Sequence, residues 1–143
     1  MKNIIISAAI VLTGMTAANA QNSLTSHLPA TAAATVAGAN VTLLKDQTLL
    51  VRYTQNGIAY KAFYDKNGIW LQTVASYGES SLPASVRRLV QADWHGWNIA
   101  FVDEVQTPGA LPVYHIQVKH DNRLTILRVS DDEMETEREL FSH

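Results

Sequence analysis

From Val41 onward, apolar and polar residues alternate with a period of two, the pattern of strands buried on one face. Leu49, Val51 and Tyr53 alternate with Leu50, Arg52 and Thr54. Gln55-Asn56-Gly57 follows, and Asn and Gly tolerate the positive φ that a tight hairpin turn requires. Ile58, Tyr60, Ala62 and Tyr64 then alternate with Ala59, Lys61, Phe63 and Asp65. Asp65-Lys66-Asn67-Gly68 reads as a second hairpin loop, ended by Gly68 in the left-handed region. A third strand runs from Gly68 to Tyr77, with Ile69, Leu71, Thr73 and Ala75 on one side and Trp70, Gln72 and Val74 on the other. Three strands joined by tight turns predict an antiparallel meander.

The period then changes. Leu82, Val86, Leu89 and Val90 form a stripe at helical spacing, with Arg87, Arg88 and Gln91 off it. Ser80 and Ser81 are suited to cap this helix, Pro83 fits its first turn and Gly96 its end, so the expected helix spans about Leu82 to Trp94. Period two returns afterwards. Trp97, Ile99, Phe101 and Val105 are expected on one face, interrupted by Asp103, and Tyr114, Ile116 and Val118 point inward on the next strand. His120-Asp121-Asn122-Arg123 turns into Leu124 to Ser130. The tail from Met134 to Leu140 fits an edge strand guarded by outward acids, with a short terminal helix as its rival. The predicted fold class is α+β: an antiparallel meander of about five to seven strands, with one main α-helix packed across one face and the other face open.

The N-terminus reads as an address. Met1-Lys2-Asn3, the apolar run Ile4 to Leu12 and Ala18-Asn19-Ala20 have the form of a cleavable signal peptide over residues 1–20. That run is shorter than the roughly 20 residues a bilayer span needs, so no stable membrane anchor is expected after cleavage. Residues 21–40, rich in Ala, Thr, Ser and Asn, read as a flexible leader, and residues 41–143 as the folded domain. The expected location is periplasmic or extracellular. The chain has no cysteine, which excludes disulfides, thiolate metal sites and a Cys nucleophile. A formal net charge of −2 over 143 residues argues against a nucleic-acid partner.

The ordered motifs carry a resemblance. Tyr60-Lys61-Ala62-Phe63-Tyr64-Asp65-Lys66-Asn67-Gly68-Ile69-Trp70 resembles the aromatic-Asp-x-x-Gly-x-Trp hairpin of PepSY-like, β-lactamase-inhibitor-like periplasmic domains of the Bacteroidetes type. Leu82-Pro83-Ala84-Ser85-Val86 resembles the start of that family's helix, and Tyr114-His115-Ile116-Gln117-Val118 one of its strands. Trp94-His95-Gly96-Trp97 stands where the family has an aromatic-Pro-Gly-aromatic turn, with His95 in place of the Pro. The resemblance covers roughly residues 48–130 and implies a small exported domain without an established catalytic activity, whose related modules accompany or inhibit secreted peptidases and β-lactamases.

Catalytic chemistry finds little support. Gly78-Glu79-Ser80-Ser81-Leu82 lacks the second Gly of a nucleophile elbow. Asp65-Lys66-Asn67-Gly68 begins like a calcium loop, but its Gly comes too early and no Glu closes it. His115 and His120, with Asp121, are five apart in a strand and face opposite sides, so no metal site is expected. Asp103 and Glu104 are adjacent in a strand and cannot share a proton. No catalytic residue and no cofactor are predicted. A small secreted hydrolase built on Asp93, His95 and Glu104 is one alternative, and a small-ligand carrier with a cavity between helix and sheet is another.

The large aromatics invite a binding reading. Phe63 and Trp70 are expected together on the open face, with Asn56 and Asn67 at the hairpin tips and Trp94 and Trp97 at the helix end. Aromatic side chains dominate binding hot spots. The expected function is thus an exported, non-enzymatic binding module that contacts or restrains another envelope or secreted protein through Phe63, Trp70, Asn56, Asn67, Trp94 and Trp97.

Overall fold

The computed structural model describes residues 30–141. The expected signal, residues 1–20, and the first part of the leader lie outside the described residues. A short helix α1 (Ala30–Thr35) precedes strands β1 (Asn40–Leu43), β2 (Leu49–Gln55), β3 (Ile58–Tyr64) and β4 (Trp70–Tyr77). A 3₁₀ turn at Glu79–Ser81 leads into helix α2 (Ala84–Asp93). Strands β5 (Asn98–Gln106), β6 (Val113–His120), β7 (Arg123–Ser130) and β8 (Glu133–Phe141) complete the chain. All eight strands form one antiparallel sheet in sequential order, β1 through β8.

This corrects the expected α+β architecture. A main helix packed across one face does not form, and the sheet has eight strands rather than about five to seven. The reason is one of scale. Ten residues of α2 make a rod about 15 Å long, whereas eight strands extend about 34 Å across. Val90 is the buried residue of α2, joined by Leu82 just before it; Val86 and Leu89 pack partly against the core. The serines expected to cap α2 belong to the 3₁₀ turn, and Pro83 stands at the cap position with no side-chain cap bond. Arg87 ties the connection together instead, donating to the Glu79 carbonyl at 2.7 Å. At the far end, Gly96 at φ 83° lets the chain reverse into β5.

The hairpin turns follow the chemistry read from the sequence. Asn56 and Gly57 both have positive φ, 52° and 77°, which matches the right-handed twist of the flanking strands. Asp65 closes its loop by accepting from the Asn67 and Ile69 backbone N–H groups, both at 2.8 Å. Asp131 and Asp132 make the β7–β8 turn at φ 50° and 62° with no glycine, a conformation Asp tolerates better than most residues.

Three β-bulges decide which side chains share a face. Phe63 pairs with Gln72 but Tyr64 pairs with Trp70, so Leu71 is an extra residue. Ala100 is extra where Ile99 pairs with Val118 and Phe101 with Gln117. Glu137 is extra where Leu127 pairs with Thr136 and Ile126 with Arg138. One extra residue swaps the two faces for everything beyond it. The buried face of β5 therefore carries Val102, Glu104 and Gln106, and Phe101, Asp103 and Val105 point to the opposite side. The tail forms edge strand β8, with Met134 packed on the core side.

The core lies on one face of the sheet. A cross-strand row runs Tyr53–Tyr60–Ala75–Glu104–Tyr114–Val129–Met134 from β2 to β8. A second row runs Tyr77–Val102–Ile116–Leu127–Thr136. Ala33 of α1, Leu82 and Val90 join the same cluster. Full burial of Ile116 or Leu127 contributes about 1.5–3 kcal/mol each.

Candidate functional site

Strand direction sorts the turns onto two ends of the sheet. One end holds the β1–β2 turn, the β3–β4 turn, the β5–β6 loop and the β7–β8 turn. This end concentrates exposed apolar side chains: Leu43 is 69% exposed, Ile69 61%, Leu71 42% and Leu111 59%. Leu43 closes the row Leu43–Leu49–Tyr64–Trp70. An open hollow of about 540 Å³ lies beside that row, lined by Leu43, Gln47, Leu49, Asp65, Lys66 and Gly68. Asn67 sits exposed at the tip of the adjoining loop.

These tips are held by a stiff base. Trp70 is half-buried against the core and its indole N–H donates to the Thr73 hydroxyl at 2.8 Å. Asp65 fixes the loop through its two backbone acceptor bonds. The Leu71 bulge turns that side chain outward. Phe63, also half-buried, faces the opposite side of the sheet from Trp70. The structure therefore does not bring Phe63 and Trp70 together, because the bulge between Phe63 and Tyr64 breaks the uninterrupted alternation that would pair them.

The other end carries Asn56, exposed at its turn, and the pair Trp94 and Trp97. The two indoles meet edge to face at 4.8 Å. Trp97 also lies 5.4 Å from the His120 ring. Both tryptophans are half-buried and pack against the core. The six candidate residues thus divide between two ends and two faces rather than forming one patch.

At the centre of the buried face lies a polar cluster that the sequence reading assigned no structural role. Glu104 is completely buried. It accepts from the Tyr77 hydroxyl at 2.5 Å and from the Gln106 amide at 3.1 Å. Burial is the first cause of a raised Tyr77 pKa, and its hydrogen bond to Glu104 adds to it. Burial pushes Tyr114 up to about 12, helped by the nearby Glu104 charge. Tyr53, stacked on Tyr60 at 4.9 Å, is also pushed up to about 12 by burial and by its tyrosine neighbours. Alternation could have revealed this cluster only if the Ala100 bulge had been known.

The hydrolase alternative does not assemble. Asp93 and His95 are exposed at the end of α2, while Glu104 is enclosed with Tyr77 and Gln106. His115 pairs with Glu137 at 2.9 Å, and His120 with Asp121 at 3.3 Å. Among the described residues no group of three or more His, Cys, Asp or Glu converges on a metal position. A second hollow of about 570 Å³ is lined by Arg128, Ser130, Asp131, Glu133, Met134 and Glu135. Neither hollow lies between α2 and the sheet, where the carrier alternative needs one. No described helix is long and apolar enough to cross a membrane.

Comparison with known proteins places the fold. No family model matches the chain, and no curated protein matches it. Solved structures do. A DUF2874 family protein from Bacteroides ovatus is 15% identical, with a TM-score of 0.60 over 74% of this chain and 80% of that one. A BLIP-like protein from Bacteroides fragilis is 14% identical, with a TM-score of 0.59 over 74% and 77%. A protein described as a putative periplasmic protein from Bacteroides eggerthii is 19% identical, with a TM-score of 0.58 over 75% and 78%. At these identities the likeness is one of fold, and the fold is BLIP-like. The PepSY-like part of the motif resemblance has no counterpart among these neighbours.

Proposed function

We propose that this protein is an exported, non-enzymatic binding module whose hairpin end seats in a cleft of another envelope or secreted protein. The observation that carries the reading is that exposed Leu43, Ile69 and Leu71 share the β1–β4 half of one sheet end, with Leu111 farther along the same end. Exposed apolar groups gathered at one place mark interaction sites more often than scattered ones do. The stiff base matters as much as the apolar tips. A loop already fixed by Asp65 and a tryptophan already anchored on Thr73 lose little freedom on binding. Trp70 and Asn67 then act as the anchor and the polar rim of the contact, and the restraint on the partner is steric.

Export follows from the N-terminal pattern, and the similar protein described as periplasmic fits it. The PepSY-like motif resemblance fits the same reading.

The test is co-purification from envelope extract followed by a binding titration with the purified partner. The parent is compared with a folded Leu43→Ser, Ile69→Ser variant and with Phe101→Ser on the opposite face. The expected result is a partner held by the parent and by Phe101→Ser, and bound at least about tenfold more weakly by the hairpin-end variant. Equal binding by all three proteins refutes the proposed surface.

A further inference from the structure

The two edges of the sheet are finished differently. Edge strand β8 carries Glu133, Glu135, Glu137 and Glu139 and a bulge, features that discourage pairing with another strand. Edge strand β1 (Asn40–Leu43) has no charge, no proline and no bulge. Its Val41 and Leu43 are 47% and 69% exposed. Among the described residues no strand pairs with its outer side.

The β1–β2 register fixes which backbone groups that side presents. Leu44 donates its backbone N–H to the Thr48 carbonyl at 2.8 Å across the hairpin. Hydrogen-bonded and non-bonded pairs alternate along an antiparallel ladder. Thr42 and Asn40, opposite Leu50 and Arg52, therefore also turn their N–H and C=O groups toward β2. Val41 and Leu43, opposite Val51 and Leu49, turn theirs outward. The outer side thus offers an N–H and a C=O on either side of Thr42.

We infer that two copies of this chain join antiparallel along β1, about a two-fold axis through Thr42. Val41 of each copy then faces Leu43 of the other, and every outward N–H and C=O of the two residues finds a partner. Thr42 meets its own copy in the close, non-bonded kind of pair, where Thr–Thr contacts are favourable. The rows that cross the junction match. On the core face, Tyr64–Leu49–Leu43 runs on into Val41–Val51–Ala62 of the second copy. On the other face, Phe63–Leu50–Thr42 runs on into Thr42–Leu50–Phe63. The cationic row Lys61–Arg52–Asn40 continues into Leu44 and Thr48, so no like charges stand directly opposite.

The contact is isologous and closes at two copies, with the acidic β8 edges left outside. Four residues a side bury less than the ~800 Å² per partner of a standard interface, so the dimer is transient, with a Kd on the order of 100 µM. Leu43 also belongs to the hairpin-end surface. The junction is measured on the purified protein alone, so its failure and that of the proposed function are distinguishable.

The test combines sedimentation up to about 1 mM protein, the weak end of specific association, with amide hydrogen exchange at low and high concentration. The parent is expected to dimerise, and the Val41 and Leu43 amides to gain protection as it does, while the Thr42 amide is protected at both concentrations. Val41→Pro removes an outward N–H that β2 does not use, a substitution edge strands tolerate. Thr42→Lys and Thr42→Glu each set like charges face to face across the axis. Circular dichroism confirms that the variants are folded. Each should dissociate at least about tenfold more readily than the parent, and an equimolar mixture of Thr42→Lys and Thr42→Glu should recover the dimer. A parent that stays monomeric overturns the inference and leaves the edge to water or to a strand of another protein. A dimer whose Val41 and Leu43 amides exchange unchanged overturns it too, as does a mixture that fails to recover.

Discussion

The two faces of this sheet share one backbone and solve the burial of polar groups in opposite ways. All five tyrosines of the chain lie on the core face, with Glu104, Gln106, Thr73 and Thr125 among them. The opposite face has no tyrosine and carries polar groups in open pairs, such as the ion pair of Arg128 with Glu135 at 3.2 Å and the hydrogen bond of His115 with Glu137. On the core side a hydroxyl or carboxylate that loses its partner is stranded away from water, and that costs the full desolvation of the group. On the other side water replaces a lost partner, so an exposed pair contributes about 0–1 kcal/mol. Polar residues are structural on one face and adjustable on the other.

High pH should break this contrast most completely. Tyr53 and Tyr114 are held up to about 12, and burial also raises Tyr60, Tyr64 and Tyr77. Unfolded tyrosines ionise near 10. Between those values the folded chain binds more protons than the unfolded one, so stability falls as pH rises. It is complete below about pH 10 and is lost through about pH 12 and beyond. Tyrosinate absorbance and far-ultraviolet circular dichroism should therefore change together, at a pH well above 10. Because every tyrosine sits on the core face, the absorbance reports on that face alone. A tyrosine titrating near 10 with the circular dichroism intact would disprove the closed character of the core face.

Removing Glu104 should come next in size. Glu104→Ala strands the Tyr77 hydroxyl and the Gln106 amide and leaves a cavity at the centre of the sheet. The expected loss is about 3 kcal/mol or more in denaturant unfolding. Glu104→Gln keeps the volume and an acceptor for Tyr77, and should lose less than half as much. Equal losses from both variants would mean that the charge itself, rather than the filled and bonded position, holds the centre.

The contrast between faces also explains what could be read from the sequence. Strands β3 and β6 alternate without interruption, and their buried residues, Tyr60, Tyr64, Ile116 and Val118 among them, follow from period two alone, whereas in β2 Leu50 is buried beside Val51 on the opposite face. The turns at Asn56-Gly57 and Asp65 were equally legible, because positive φ and side-chain acceptors are local chemistry. The bulges at Leu71, Ala100 and Glu137 were not. A bulge depends on how the partner strand twists, and one extra residue reverses every side chain beyond it. That reversal is why Phe63 and Trp70 part, and why Glu104 turns into the core while Phe101 turns out. The helix falls short of the expected one for a different reason. Its stripe is amphipathic, as the spacing predicts, but a stripe does not state how wide a sheet it must cover. The exposed tips at Leu43 and Ile69 carry no periodic signal, and only the sheet order shows that they share an end.

Val102 and Val105 offer the finest comparison, since they are the same residue type three apart on β5 and face opposite sides. Val102 is fully buried in the row between Tyr77 and Ile116, whereas Val105 is half-buried between Val74 and Val113. Truncation to alanine removes the same two methyl groups from each. At about 0.8 kcal/mol per buried methylene plus a cavity term, Val102→Ala should cost about 2 kcal/mol. Val105→Ala should cost about 1 kcal/mol or less, because water already reaches its half-buried site. Denaturant midpoints of the two variants, with unchanged slopes, provide the measurement. Equal costs for the two substitutions would show that the two faces exclude water alike.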